Sequence, residues 1–570
     1  MSDPLEDQHI TAEAPAEPRA YSRRRVLNAA GAGALAAWGA GHALRASATA
    51  LASATPAAKT DAALPNRIPG DPAIGLPDAY TGYPSSPFKS VSGTPGAGGT
   101  VTTFQIDYWP PVLPHDRNPY WKELDKRLGV MTKSTFAPQP SYATQLQTLA
   151  AGNNFPDLTY INLGQGAQAF EPLLLQGVMT DLTPYLTGPA LKEFPNLALI
   201  PSVAWEAVKI QGKIFGVPRV IPPIGETVTY RRDWAQALGF TALRNAEDVF
   251  KMLVAFSKKH PAGPATTFGL ASFDGSFTEI MFNMMFRVPN QWRLNADGSL
   301  THQIETAEYK ESLKFMRRLW AAGAYDPDSP SLTFSQFAAK VQGGTLGVGD
   351  GGYQPIFGAT GLRGLVKQLN PKADIYPFVP PGYDGGKGVT YNRQPFFGFT
   401  GIPSSVGKDI TRLKELLSIL NYYAAPFGSE EFTFIEYGIK GRDYTLDAQG
   451  IPVPINSTTT QDIGPLRYLV DTIEDTFFYP GANGASEAIL AQNLGRKLLQ
   501  IGINDPTVTL YSPTFVSKGA VLNQLAITQR TAIVTGREPL SALATWQSEW
   551  RSRGGDQIRT EFEQALKKKG

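Results

Sequence analysis

The sequence predicts an α/β fold, and three observations point to it. Between Val101 and Ile161 two strand patterns flank two helical patterns. Further along, capped helices keep alternating with short apolar runs. The chain has 570 residues, of which 18% are charged, enough for a large core and for two lobes with flanking segments.

Val101 to Ile106 alternates as a strand and runs into the polar-aromatic loop Asp107-Tyr108-Trp109-Pro110-Pro111. Asn118 caps a helix with Pro119 in its first turn, and Gly129 closes it. Tyr142 to Ala151 is a second helix, stopped by Gly152, and Pro156 to Ile161 is the next strand. This β-α-α-β order favours an α/β sheet with loops at its strand ends. Ile214 to Pro218 begins a Pro-rich extended stretch, Thr227 to Tyr230 resumes as a strand, and Ala246 to Lys259 is helical. Thr306 caps an amphipathic helix to Ala322, with Leu313, Met316, Leu319 and Trp320 on related faces. Phe334–Val341 and Thr411–Tyr423 are helices. Leu346–Asp350 and Phe396–Phe399 are strands. Asp447 to Gly450 turns a hairpin. Ser486 caps a helix to about Leu499, and Leu540 to Lys568 is largely helical.

The net charge of +2 provides no strong field for nucleic acid or anionic lipid. Absence of cysteine excludes disulfides, thiolate metal sites, cysteine catalysis and a lipid-modified N-terminal Cys. No cofactor is implied. Aromatic residues make up 11% of the chain; core packing accounts for most, but Tyr and Trp faces also suit a polyol ligand.

Residues 1–54 have the order of an export signal: Ser22-Arg23-Arg24-Arg25-Val26-Leu27 resembles a twin-arginine motif, an Ala/Gly-rich run follows, and small-residue cleavage sites come next. The apolar run lacks the roughly 20 strongly hydrophobic residues of a spanning helix. Residues 55–100 are rich in Pro, Gly and Ser and read as a linker or lobe-covering segment.

Several segments together resemble the family 1 extracellular solute-binding proteins of ABC importers, in their large oligosaccharide (aldouronate or LipO-like) branch. They are Tyr142 to Leu158 with its Pro156-Asp157 before a strand; Gly216 to Arg219 followed by Tyr230 to Gly239; Thr306 to Gly323 with Phe337 to Tyr353; and Ala532 to Gly536 with Trp546 to Gly555 behind it. Their order and spacing carry the resemblance over roughly residues 101–566. Many relatives carry a lipobox Cys, which this chain lacks.

The resemblance implies a two-lobed periplasmic-binding-protein (type 2) fold, with a ligand cleft between lobes joined by crossing strands. Residues 101–222 form lobe 1, 223–397 lobe 2, 398–460 a return to lobe 1, and 461–570 a largely helical segment on both lobes. Pro222-Pro223 and Phe396-Phe397-Gly398 are the expected crossings. The implied function is capture of a carbohydrate, an oligosaccharide and potentially an acidic one, for delivery to the membrane permease. The protein is expected to be a monomer and not an enzyme, and to be exported without a Cys-linked lipid anchor.

A sugar site needs an aromatic face and polar groups that bond hydroxyls in pairs. The candidates at strand ends are Asp107, Tyr108 and Trp109 after the first strand, Asn162 after Ile161, and Arg219 in the crossing stretch. Asp274 and Trp292 follow in later loops. Asp350 and Tyr353 follow the Leu346 strand, where the resemblance places an aromatic platform. Tyr391 and Arg393 precede the second crossing, and Tyr444 lies on the hairpin. Arg219 and Arg393 fit a uronate, neutral hydroxyls or interlobe contacts alike. Two rivals remain: a secreted carbohydrate-active enzyme, needing two carboxylates across a bond, and a surface carbohydrate- or peptide-interaction protein. The chain lacks a Gly-x-Ser-x-Gly elbow and a His-Glu-x-x-His motif. Asp326-Pro327-Asp328 reads as a helix-exit turn, with calcium the alternative.

Overall fold

The structure, a computed structural model, describes residues 64, 66–108, 111–162, 170–263, 266–276, 278–455, 459, 461–470 and 475–569. The expected export signal and Trp109 lie outside the described residues.

The described part of the amino-terminal segment is bonded to the folded body. Strands β1 (Arg67–Ile68) and β2 (Asp78–Tyr80) pair antiparallel. Arg67 Nε holds Asp78 at 2.7 Å. The Tyr80 ring then stacks on Phe427 at 4.3 Å. Ser90 gives its backbone N–H and its hydroxyl to Glu431, both at 2.9 Å. Gly96 N–H reaches the Leu128 carbonyl at 2.8 Å.

Lobe 1 is built on β3 (Thr100–Asp107), β4 (Met131–Pro138) and β5 (Leu158–Ile161), all parallel. The helix Pro119–Leu128 has the expected signals: Asn118 accepts from the Trp121 N–H, and Gly129 ends it at φ 72°. The sequence reading missed β4. Its residues Met-Thr-Lys-Ser-Thr-Phe-Ala-Pro expose their alternate side chains because β4 is the sheet's edge, so it lacks the apolar run that marked its neighbours. The unit is therefore β-α-β-α-β. One core joins Phe104, Tyr142, Leu158, Val217 and Phe399 to Leu416 and Leu420 of the helix Ile410–Tyr423, and extends to Val470.

The chain leaves lobe 1 through β6 (Val217–Val220) and enters lobe 2 as β7 (Thr227–Arg231). A hairpin of β8 (Trp292–Leu294) and β9 (Leu300–His302) follows. Next come β10 (Val348–Gly351) and β11 (Ile375–Pro377), both antiparallel to β7. Bridges from Phe268 to Leu346 and from Leu270 to Tyr325 widen this sheet. Its core gathers Trp234, Phe256, Phe282, Phe315 and Met316. Thr306 caps the helix Ala307–Ala321 as expected, accepting from the Tyr309 N–H at 3.2 Å.

The chain returns through β12 (Thr390–Tyr391) and β13 (Phe396–Gly401). Strand β13 inserts antiparallel between β5 and β6, completing the order β4-β3-β5-β13-β6. The crossings bond to each other: Ile221 N–H to the Pro395 carbonyl at 3.2 Å, and Arg393 N–H to Pro223 at 3.1 Å. Pro222 and Pro223 fix φ and bring no N–H of their own, which stiffens this ladder. The pairing of β13 with β6 shifts by one residue at Phe397. Gly398 stands beside the shift, and a Cβ there would collide with the Tyr160 hydroxyl and lie 2.8 Å from the Ile161 carbonyl oxygen.

The hairpin β14 (Tyr444–Leu446) and β15 (Pro452–Pro454) lies on lobe 1. Strand β16 (Thr476–Phe477) joins β2 in parallel. The helix Gly484–Gln500 starts two residues before Ser486, whose hydroxyl bonds the Asn483 carbonyl instead of capping. Strand β17 (Gly502–Ile503) runs beside β12. The helix Pro513–Val534, absent from the sequence reading, and the helices Ala542–Trp550 and Asp556–Lys569 add Leu522, Ile533, Trp546 and Phe562 to the lobe 2 core. Among the described residues no helix is long and apolar enough to cross a membrane.

Candidate functional site

The two crossings decide where the lobes face each other. Arg219 lies on β6 just before the first crossing. Thr227 opens β7 just after it and pairs with Gly351, so the end of β10 is also at the crossing. Seven residue steps from Val220 to Thr227 span at most about 25 Å.

The lobe 1 wall is aromatic around a buried cation. The Arg219 guanidinium stands 4.3 Å from the Tyr468 ring centre and 5.8 Å from Phe397. Tyr108, at the end of β3, packs 5.7 Å from Tyr468 and 6.2 Å from Phe397. Tyr160 meets Tyr468 edge-on at 5.2 Å. Burial, then the neighbouring Tyr468, raises the Tyr108 and Tyr160 hydroxyls far above the ordinary phenol range, with Arg219 opposing. They stay neutral, able both to donate to and to accept from a hydroxyl. Tyr142 donates to the Tyr160 carbonyl at 3.0 Å and accepts from the Asn162 N–H at 2.8 Å. That fixes the backbone at the end of β5. The Asn162 Nδ2 and the Tyr160 hydroxyl are buried and have no hydrogen-bond partner among the described residues. Such atoms are costly unless something arrives to satisfy them.

The lobe 2 wall is acidic. Asp350 lies opposite Val228, and Glu226 is two residues before Val228. The period of two places the carboxylates on one face as diagonal neighbours. Burial and then Glu226 push the Asp350 carboxyl well above its usual range. Burial also raises Glu226, against the opposing charge of Arg393. Asp350 Oδ1 is buried without a partner among the described residues. Arg393 Nε donates to the Pro222 carbonyl at 3.1 Å. A cavity of about 10 Å³, the size of one water, lies beneath, lined by Glu226, Thr390, Tyr391 and Met284 among others.

Of the residues expected at the site, Tyr108 and Arg219 share the Tyr468 and Phe397 rings, Asn162 follows β5, Asp350 lies on β10, Arg393 is bonded to the first crossing, and Asp107 ends β3 beside Pro138. Tyr391 borders the small cavity below, its hydroxyl donating to the Val288 carbonyl at 2.9 Å. Others do not gather there. Tyr353, expected as the aromatic platform, is a core residue: its ring is fully buried between Phe357 and Phe477, and its hydroxyl is spent on the Ala491 carbonyl. Trp292 is buried in the lobe 2 core, against His302 and Trp550. Asp274 is an exposed turn residue at φ 45° whose N–H bonds the Leu332 carbonyl. Tyr444 packs on Tyr437 beside a separate cavity of about 400 Å³, shared with Glu123, Arg127 and Phe434. Asp326 is held by Lys340 at 2.7 Å, so the Asp326-Pro327-Asp328 turn is closed by an ammonium. Among the described residues no group of three His, Asp or Glu side chains is placed to hold a metal.

Glu226, Tyr468 and Phe397 escaped notice as site residues. Glu226 carries a signal in retrospect, as the one acid in the otherwise uncharged run from Val220 to Tyr230. Tyr468 sits in an irregular stretch far along the chain and carries none.

No family model matches the chain. It is 23% identical over 477 residues to lipoprotein LipO of Bacillus subtilis (strain 168), covering 81% of this chain and 92% of the relative. It is 24% identical over 474 residues to the polygalacturonan/rhamnogalacturonan-binding protein YtcQ of the same strain, covering 80% of this chain and 91% of the relative. Among solved structures, an HMO-binding ABC-transporter-associated solute-binding protein from Bifidobacterium longum infantis superposes with a TM-score of 0.61 at 14% identity, covering 82% of this chain and 98% of that one. The fold is that of the two-lobed periplasmic solute-binding proteins.

Proposed function

We propose that this chain is a family 1 extracellular solute-binding protein of an ABC importer, and that it captures an oligosaccharide between its lobes and hands it to a membrane permease. The observation that carries this reading is the lobe 1 wall at the crossing strands. Neutral phenols, an amide nitrogen without a partner among the described residues and a stacked guanidinium supply the aromatic faces and paired polar groups that sugar recognition requires. Asp107, Tyr108, Asn162, Arg219, Phe397 and Tyr468 contact the ligand from lobe 1, and Glu226, Asp350 and Arg393 from lobe 2. The saccharide names of YtcQ and of the Bifidobacterium protein support the same ligand class.

Closure is a hinge motion about the paired crossings, favoured by whatever contacts the ligand makes with both walls at once. The chain acts by binding and not by catalysis, and the binding role in the name of YtcQ supports this. It is exported by its twin-arginine-like signal, works as a monomer outside the membrane, and has no Cys through which to carry a lipid. Calorimetry on the chain from about residue 55, against a panel of oligosaccharides, tests the proposal. Saturable 1:1 binding without turnover, weakened at least tenfold by Tyr108→Ala, is expected. Binding that ignores Tyr108, or release of shorter sugars, refutes it.

A further inference from the structure

We propose that the cavity walled by Arg127, Glu430 and Tyr444 is a second saccharide site, which holds an uncharged stretch of a polysaccharide on lobe 1 whether the cleft is open or closed. The inference takes its ligand class from the reading above, and its place in the fold is independent of the cleft.

The helix Pro119–Leu128 runs back along β3. Arg127, in its last turn, lies four residues before Met131, which pairs with Thr100 at the start of β3. The length of β3, about 23 Å at roughly 3.3 Å per residue, separates that end from Asp107, after which Tyr108 joins the cleft wall. The cavity holds about 400 Å³. Small-ligand sites occupy roughly 300–1,000 Å³. Its other side is the helix Glu430–Tyr437 and the loop leading to β14.

The frame is built before any ligand arrives. Phe434 stacks on Tyr120 at 4.8 Å and carries the Arg127 guanidinium at 4.1 Å. Glu123 receives Arg127 Nε at 2.9 Å. Asp443 accepts from the Ile439 N–H, and the Tyr444 carbonyl from the Gly441 N–H, both at 2.7 Å, so the loop bearing Lys440 is closed on itself. A ligand entering such a frame loses little to ordering it.

Two acids, Glu123 and Glu430, and two bases, Arg127 and Lys440, line the cavity with Tyr444. Glu430 and Lys440 are exposed and form no ion pair among the described residues. A ligand with net charge of either sign meets a like charge here. Sugar hydroxyls suit both kinds of group, donating to carboxylates and accepting from the guanidinium and the ammonium. The Tyr444 ring adds an apolar face for the C–H side of a sugar. Tyr444, expected from the sequence to contact ligand, thus does so away from the cleft.

All lining residues belong to lobe 1 or to the amino-terminal segment bonded to it, so hinge motion leaves the site unchanged. A ligand there has the same affinity for open and closed protein and does not drive closure. Its effect is to tether a polymer and raise the local concentration of its free end at the cleft. Open on one side, the site binds more weakly than the cleft and stays empty where the cleft titrates 1:1.

The test is affinity electrophoresis of the wild-type chain in gels containing galactan, arabinan or glucomannan, with calorimetry on the matching short oligosaccharides to read the cleft. At least one polymer is expected to retard the wild type, and to retard Tyr108→Ala nearly as strongly. Glu430→Gln combined with Lys440→Met, both at the surface, is expected to weaken retardation at least fivefold and to leave the cleft affinity within twofold of wild type. Retardation that survives in this double variant, or that is lost in Tyr108→Ala, overturns the inference and leaves the cleft reading standing. No retardation by any of the polymers also overturns it, and silence in calorimetry as well overturns the cleft reading with it.

Discussion

The guanidinium of Arg219 stacks on the ring of Tyr468 at 4.3 Å, joining strand β6 to a segment that follows the return of the chain into lobe 1. A desolvated cation–π pair contributes about 2 kcal/mol. Tyr468→Phe keeps the face and loses only the hydroxyl, so saccharide affinity should fall less than threefold. Tyr468→Ala removes the face and should cost tenfold or more. Isothermal calorimetry on both variants checks the difference.

Tyr353 should behave as a stability residue. Tyr353→Ala empties a fully buried site and is expected to cost about 3–5 kcal/mol. Tyr353→Phe leaves the Ala491 carbonyl without its donor, for about 1–2 kcal/mol. Urea unfolding should show this order. The dissociation constant of the folded Phe variant should match wild type, and a tenfold loss of affinity would instead restore the platform role.

Gln492 ties the amino-terminal segment down. Its Nε2 donates to the Ile68 carbonyl at 2.9 Å and to the Pro69 and Pro77 carbonyls at 3.2 Å. Gln492→Leu leaves these acceptors unmet, at about 1–3 kcal/mol. Limited proteolysis should then cut first between residues 66 and 80, with the lobes still intact.

Asp475 is raised to about 7, first by burial and then by Asp78 beside it. Its unfolded value is about 3.9. Between those limits the native state holds the proton and the unfolded state does not, so this residue's contribution declines as pH rises from about 4 to 7 and is flat above. Asp475→Asn should therefore gain stability relative to wild type, by more at pH 8 than at pH 5. Paired urea titrations at the two pH values measure that gap; an equal difference at both would mean Asp475 is not the group responsible.

Local signals were legible where the chain itself supplies the partner. Asn118, Pro119 and Gly129 define their helix within a dozen residues, and Thr306 does so for the helix it caps. The strand ends at Asp107 and Asn162 could be placed for the same reason. What failed depended on distant neighbours. The polar composition of β4 makes sense only at a sheet edge. The Tyr353 hydroxyl is claimed by a carbonyl in the helix Gly484–Gln500, which no spacing near Tyr353 announces. Tyr468 reaches Arg219 only because β13 returns between β5 and β6.

Strand β2 at Asp78–Tyr80 has β16 at Thr476–Phe477 as a neighbour, and the Gln492 side chain closes over the same segment. A ribosome makes the two halves of that small sheet nearly four hundred residues apart. The first stretch of the folded body is thus among the last to be secured, and until the carboxy-terminal helices are synthesised its backbone groups must stay in water or be held by a chaperone. Biogenesis of this protein is therefore gated by its far end: a ribosome stalled before residue 476 would leave the amino terminus open to proteases, and truncation there would be felt first at residue 66.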